Sequence, residues 1–167
     1  FSPDESRSIL LARLQNLLRG HSAVRPAVVE LMIACWNRNL FPIMPELGTV
    51  GASGDLTPLA HLALALLGEG SFWEDDHVVP ANAALQRHGL EPLTLHAKDG
   101  LALVNGTSAM TGLSVWNSAW FHRAYDWALR LSFAYAEIYR AHAVAFSPRV
   151  GEARPHPGQV RTHDTLW

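Results

Sequence analysis

Apolar residues recur at helical spacing along most of the chain. Pro3-Asp4-Glu5 places a proline and two acids where a helix begins. Ile9, Leu10, Leu14, Leu17 and Leu18 then share one face until Gly20 can stop it. Pro26 opens a second helix with Val28, Val29, Leu31, Met32 and Trp36 on its apolar side, fraying over Asn37 to Asn39. Phe41 to Leu47 holds two prolines and reads as an extended connection. A third helix follows a glycine-rich loop. Asp55 or Thr57 is its candidate cap, Pro58 lies in its first turn, and it runs through Leu59 to about Leu67, stopping at Gly68-Glu69-Gly70. Ser71 to Val79 is mixed and suits a hairpin or a surface loop; Ala81 to Arg87 reads as a helix closed by Gly89.

Beyond the connection Leu90 to Asp99, the apolar run Leu101 to Val104 leads into Asn105-Gly106-Thr107. Residues 108–146 read as one long helix with a candidate break at Gly112 and a polar face made by Asp126, Arg130, Glu137 and Arg140. Trp116, Trp120 and Trp127 are expected in its core, and His61 is expected to pack among its neighbours. Pro148, Gly151, Pro155, Pro157 and Gly158 mark an ordered loop. Strand signals are weak throughout, so the expected class is mainly α, a bundle of long helices.

Composition narrows the functions. With 49% hydrophobic and 17% charged residues the chain is globular rather than disordered. A net charge of −2, with Lys98 the only lysine and no basic stripe, argues against nucleic acid and against an anionic membrane surface. The apolar run Leu59 to Leu67 is too short to span a bilayer. One cysteine, Cys35, excludes an internal disulfide and fits a reducing, cytoplasmic setting; within Leu31 to Trp36 it reads as a buried, inert thiol. His96, His142 and His156 lack metal-ligand spacing, and no metal is assigned.

The loop Gly48-Thr49-Val50-Gly51-Ala52-Ser53-Gly54-Asp55 admits several readings besides a plain helix-capping turn. Its G-x-x-G-x-x-G spacing is not that of a phosphate loop, and no strand precedes it. Ser53 lacks the order of a nucleophile elbow, and His61 eight residues on is no evidence for a serine hydrolase. A third reading is backbone cyclisation: the Gly54 nitrogen, unhindered by a side chain, attacks the Ala52 carbonyl carbon, and loss of two waters leaves a conjugated ring on which Ser53 has become an exocyclic methylidene. A helix N-terminus just after the loop favours negative charge there.

Resemblance selects the third reading. Gly48 to Leu67 (GTVGASGDLTPLAHLALALL) is similar to the signature of the ammonia-lyase and aminomutase family whose prosthetic group is 4-methylideneimidazol-5-one, which acts on histidine, phenylalanine or tyrosine. Glu91 to Leu95, Lys98 to Thr107 and Arg154 to Gln159 match in the expected order, so the likeness covers about Arg13 to Gln159. It implies that the whole chain, 1–167, is part of one all-helical ammonia-lyase domain containing the ring-forming loop 48–58 and the helical region 108–146. Ala52, Ser53 and Gly54 would form the ring with no external cofactor, and Asp55 would assist its formation; a plain N-cap is an equal reading of Asp55. Asn105 would bind near the ring and the substrate's polar end, with an Asn-Gly turn as the alternative. Leu56 would line the side-chain pocket, and Val104 stands where some relatives carry a larger aliphatic residue. The run Asn105 to Gly112 resembles the tyrosine and phenylalanine enzymes more than the histidine ones. The expected activity is thus a carbon–nitrogen lyase or 2,3-aminomutase acting on an aromatic amino acid, in a homotetramer; alternatives are a histidine ammonia-lyase and a non-catalytic helical assembly fragment. The resemblance puts the catalytic base, a tyrosine, upstream of Phe1, and a tyrosine and arginine for the substrate carboxylate downstream of Trp167. The chain is therefore expected to be an inactive piece of a longer enzyme.

Overall fold

The computed structural model describes residues 1–167. The chain divides into two compact units, Phe1–Asn117 and Ser118–Trp167.

The first unit is built on helices α1 (Pro3–Leu17), α2 (Pro26–Asn37), α3 (Leu56–Leu66), α4 (Ala81–Arg87) and α5 (Asp99–Val104), with the first turns of α6 (Ser108–Ile138). Three short strands, β1 (Phe41–Pro42), β2 (Ser71–Glu74) and β3 (His77–Pro80), form an antiparallel sheet in the order β1-β2-β3. Ser71 to Val79 is thus a hairpin, and the connection after α2 contributes an edge strand. Pro42 is tolerated there because Phe41 and Pro42 pair on one side only, with Trp73 and Phe72.

Start signals are obeyed closely. Ser2 and Glu5 make a reciprocal capping box on α1: the Ser2 hydroxyl accepts from the Glu5 N–H, and the Glu5 carboxylate accepts from the Ser2 N–H. Ile9, Leu10, Leu14 and Leu17 face the core with Val28, Met32, Leu59, Leu62, Leu66 and Phe72; Leu18, expected on that face, is exposed. The core phase of α1 is completed instead by Arg13, only 2% exposed. His61, expected among neighbours, lies on the exposed side of α3.

Cys35 is fully buried, and burial pushes its thiol up to about 12, with Arg38 pulling weakly the other way. At pH 8 the folded protein is expected to leave Cys35 unlabelled by a thiol-specific disulfide reagent over hours, and urea to release one thiol per chain. Rapid labelling of the folded form would contradict its placement.

Gly112 does not break α6. A Cβ there would lie 2.7 Å from the Ile9 Cα and backbone nitrogen, so this glycine lets α6 cross α1 backbone to backbone. The helix ends at Ile138 rather than near Phe146, where Arg140 takes a left-handed φ of 50° and a 3-10 turn follows over Ala143–Phe146. The expected ordered loop after Pro148 is instead two helices, α7 (Pro148–Glu152) and α8 (Pro157–Leu166). Each starts with proline in its first turn, where the missing N–H costs nothing, so these prolines open helices rather than interrupt them.

Within the second unit, Tyr135 stacks on Tyr139, and the hydroxyls of Tyr125 and Thr162 share a 2.8 Å hydrogen bond. The tryptophans expected in a core are not in one: Trp120 and Trp127 are exposed and Trp116 is half-buried, because most of α6 is exposed beyond Gly112. No helix is long and apolar enough to cross a membrane.

Candidate functional site

The glycine-rich loop and the Asn105-Gly106-Thr107 turn, some fifty residues apart in sequence, meet in the first unit. The joint is made by backbone. The Asp55 N–H donates to the Gly106 carbonyl at 2.7 Å, and a Cβ built on Gly54 would stand 2.6 Å from that same oxygen and 2.9 Å from the Gly106 nitrogen. Gly54 also holds a φ of +93°. Two independent constraints, a left-handed backbone and a contact closer than any Cβ tolerates, therefore demand glycine here.

Neither the Gly54 N–H nor the Ala52 carbonyl is engaged in a hydrogen bond, and Ala52 and Ser53 are exposed. No hydrogen bond therefore holds either group, and nothing encloses the Ser53 hydroxyl. These features fit a prosthetic group made from residues 52–54. Thr57 steadies the loop's upstream end, its hydroxyl donating to the Gly48 carbonyl at 2.8 Å.

Asp55 behaves differently from a simple cap. It occupies the N-cap position of α3, but its side chain makes no capping bond there. Its buried carboxylate instead accepts the Met110 N–H at 2.7 Å, in the first turn of α6. The reason is positional. With Gly54 pressed on Gly106 and the Asp55 N–H given to Gly106, the side chain reaches α6, where a carboxylate satisfies an orphan donor and opposes the positive helix end. Asp55 thereby ties the loop to the segment carrying Asn105, and α3 begins directly after the loop with no side-chain cap. Neither Thr57 nor Asp55 caps α3 as the pattern had suggested.

Asn105 closes α5 in an extended conformation (φ −100°, ψ 115°) with its side chain exposed. It borders a cavity of about 240 Å³ together with His21, Ser22, Lys98, Leu101 and Ala102. Residues 52–56 do not line that cavity. Leu56 is the first residue of α3, 43% exposed, with a side chain free to contribute to a pocket wall.

Helix α5 is gripped at both ends by residues the pattern did not single out. At its start the fully buried Asp99 carboxylate accepts from the Arg25 Nε at 2.7 Å, the Arg25 N–H at 3.1 Å and the His96 N–H at 3.1 Å. Burial alone would raise the Asp99 pKa, but these donors and the Arg25 charge outweigh it and hold the carboxyl below the ordinary aspartate value. At the other end the Arg13 guanidinium donates to the carbonyls of Ala102 and, at 2.8 Å, Asn105, and reaches the Ser108 hydroxyl at 3.4 Å. Burial lowers the Arg13 pKa from its ordinary value. An arginine in core phase among Ile9, Leu10, Leu14 and Leu17 was the one available sequence signal for it.

No three or more His, Cys, Asp or Glu side chains are grouped to hold a metal ion.

Comparison with known proteins gives a consistent result. The aromatic amino acid lyase family matches residues 1–167. The chain is 44% identical over 166 residues to an MIO-dependent tyrosine 2,3-aminomutase of Streptomyces globisporus, covering 97% of this chain and 30% of that protein. It is 46% identical over 162 residues to a histidine ammonia-lyase of Gloeobacter violaceus, covering 95% and 31%. Among solved structures, the phenylalanine aminomutase of Pantoea agglomerans superimposes with a TM-score of 0.94 at 34% identity, over 100% of this chain and 32% of that one. The chain thus spans about a third of the length of the relatives it matches.

Proposed function

The chain belongs to the aromatic amino acid lyase family, and from that premise we propose that it supplies the electrophile and one substrate-binding amide of an enzyme acting on tyrosine or phenylalanine, either eliminating ammonia or moving the amine from the α to the β carbon. The observation that carries the proposal is the backbone joint between Gly54-Asp55 and Gly106, which brings a cyclisable Ala-Ser-Gly tripeptide against the Asn-Gly-Thr turn.

Each residue has a task its surroundings support. Ala52, Ser53 and Gly54 supply the ring atoms, and the required glycine leaves the attacking nitrogen unhindered. The resulting 4-methylideneimidazol-5-one supplies an electrophilic carbon that turns the substrate amine into a better leaving group. Asp55 ties the end of the loop to the first turn of α6. The uncapped first turn of α3 favours negative charge developing in the loop. Asn105 offers a donor and an acceptor to the polar end of a zwitterion without adding charge, and Leu56 adds an aliphatic wall. The β-proton base and the carboxylate-binding groups lie in the remaining two thirds of the length seen in relatives. A base must sit within roughly 3 Å of its proton, so turnover requires those parts.

The test is chemical. From the purified full-length enzyme to which this chain belongs, trypsin should release Asn39–Arg87 as one peptide. It is expected to be two waters lighter than its sequence mass, with a near-ultraviolet absorbance band in the intact protein. Ser53→Ala should abolish the band and remove turnover by on the order of 10³-fold or more, the scale on which loss of a covalent catalytic group is felt. A full-mass peptide from protein that turns over an aromatic amino acid would refute the ring. Histidine is the second reading, favoured by the Gloeobacter relative. Assay of the same preparation on tyrosine, phenylalanine and histidine decides between them by which unsaturated acid forms.

A further inference from the structure

We infer that Arg13 is a positioning residue for this site: its guanidinium fixes the Asn105–Thr107 turn and, through Gly106, the loop that holds Gly54. The inference rests on the proposed ring and goes beyond it by assigning a residue of α1 to its formation.

Three observations carry it. First, Arg13 is 2% exposed and has no carboxylate partner; the donors on its two terminal nitrogens go to the carbonyls of Ala102 and Asn105 and to the Ser108 hydroxyl. Those acceptors flank Asn105 on both sides, at the C-terminal end of α5 and the start of α6. A buried guanidinium whose terminal nitrogens donate mainly to the negative end of a short helix fixes that end, because carbonyls that lose it face the core unpaired.

Second, Gly106 has an ordinary backbone conformation, so nothing in its φ requires glycine. What an added Cβ there meets first is Arg13, its guanidinium closer than any real contact allows. Gly106 is therefore glycine so that Arg13 can lie against it.

Third, the opposite side of the same residue is the joint to the ring-forming loop: the Gly106 carbonyl takes the Asp55 N–H, and Gly54 packs on it. A contact chain thus runs Arg13, Gly106, Gly54, one residue thick at its middle. Lysine cannot replace arginine in it, since a single ammonium on a flexible stem does not span acceptors that a planar fork reaches together.

The experiment reads maturation rather than turnover. Arg13→Lys, Arg13→Met and wild type are purified as the full-length enzyme, the folded monodisperse fraction of each is digested, and the share of the Asn39–Arg87 peptide that has lost two waters is measured. Both variants are expected to close the ring roughly tenfold to a hundredfold more slowly, the penalty for misplacing reacting groups by about an ångström, and so to show a smaller share at a fixed time after synthesis. Leu62→Ala, which hollows the core away from the site, should lower the melting temperature without lowering the share. An Arg13 variant that does not fold passes the test to Gly106→Ala, which keeps Arg13 but pushes it aside and should reduce the share likewise. A share equal to wild type in the folded variants, or a fall in Leu62→Ala as large as theirs, would overturn the inference. A wild-type peptide of full mass from enzyme that turns over an aromatic amino acid would instead refute the ring itself, whatever Arg13 does.

Discussion

Gly54→Ala is expected to cost about 2–5 kcal/mol of folding free energy and to leave residues 52–54 unable to close. Two costs add. A residue with a Cβ at φ +93° is strained by about 1–2 kcal/mol. The methyl would also stand 2.6 Å from the Gly106 carbonyl oxygen, a backbone atom with no rotamer to escape by, and overpacking of that kind costs about 1–3 kcal/mol. The chain can relieve the clash only by lifting the loop off the Asn105–Thr107 turn, which stretches the Asp55 hydrogen bonds to Gly106 and Met110. Gly51→Ala is the informative partner. Gly51 also has a positive φ, of 64°, but a Cβ there meets nothing nearer than the Met110 Cε at 4.0 Å. Alanine at 51 should therefore pay the conformational cost alone, about 1 kcal/mol, and still mature. Thermal melting of both variants, with the mass of the Asn39–Arg87 peptide, checks the pair. Equal melting temperatures and equal maturation would show that the contact between Gly54 and Gly106 does not matter.

What could be read from the sequence was decided locally. The starts of α1 and α2 announce themselves through prolines at first-turn positions, and α1 adds acids there; these signals act over three or four residues. The same local logic misled at residues 148–158, where prolines and glycines read as a loop actually open α7 and α8, since proline marks a helix start as readily as an interruption. Gly112 misled for the opposite reason. Its role is set by Ile9, more than a hundred residues away, and spacing carries no trace of that. The site divides the same way. Ala52, Ser53, Gly54 and Asn105 stood out by resemblance. The service of Asp55 to α6 instead of α3, and the grip of Arg13 and Asp99 on α5, depend on which segments the fold brings together. Such contacts surface in a sequence only as anomalies, here a charged residue sitting in the core phase of an amphipathic helix.

Asp99 shows how such a hidden anchor should reveal itself in solution. Its fully buried carboxylate is the shared acceptor for Arg25, which precedes α2, and for the His96 amide at the entrance to α5. Asparagine keeps one acceptor oxygen but loses the charge and turns its amide nitrogen toward donors, so Asp99→Asn is expected to cost about 2 kcal/mol at neutral pH, discounted for the partial exposure of Arg25. The pH dependence fixes the sign. The folded-state pKa of Asp99 lies below its unfolded value, so the unfolded chain takes up the proton first. Its stabilisation is therefore complete above about pH 4, the ordinary carboxyl value, and is lost as the pH falls from there through the folded-state value. Glu74, lowered chiefly by its hydrogen bond from His88, drains in the same direction and remains in both proteins, so the difference between wild type and Asp99→Asn isolates Asp99. Urea unfolding from pH 7 down to pH 3 should show that difference shrinking as acid is added. A gap that stays constant, or widens, would mean that the Asp99 carboxylate is not the group holding the start of α5.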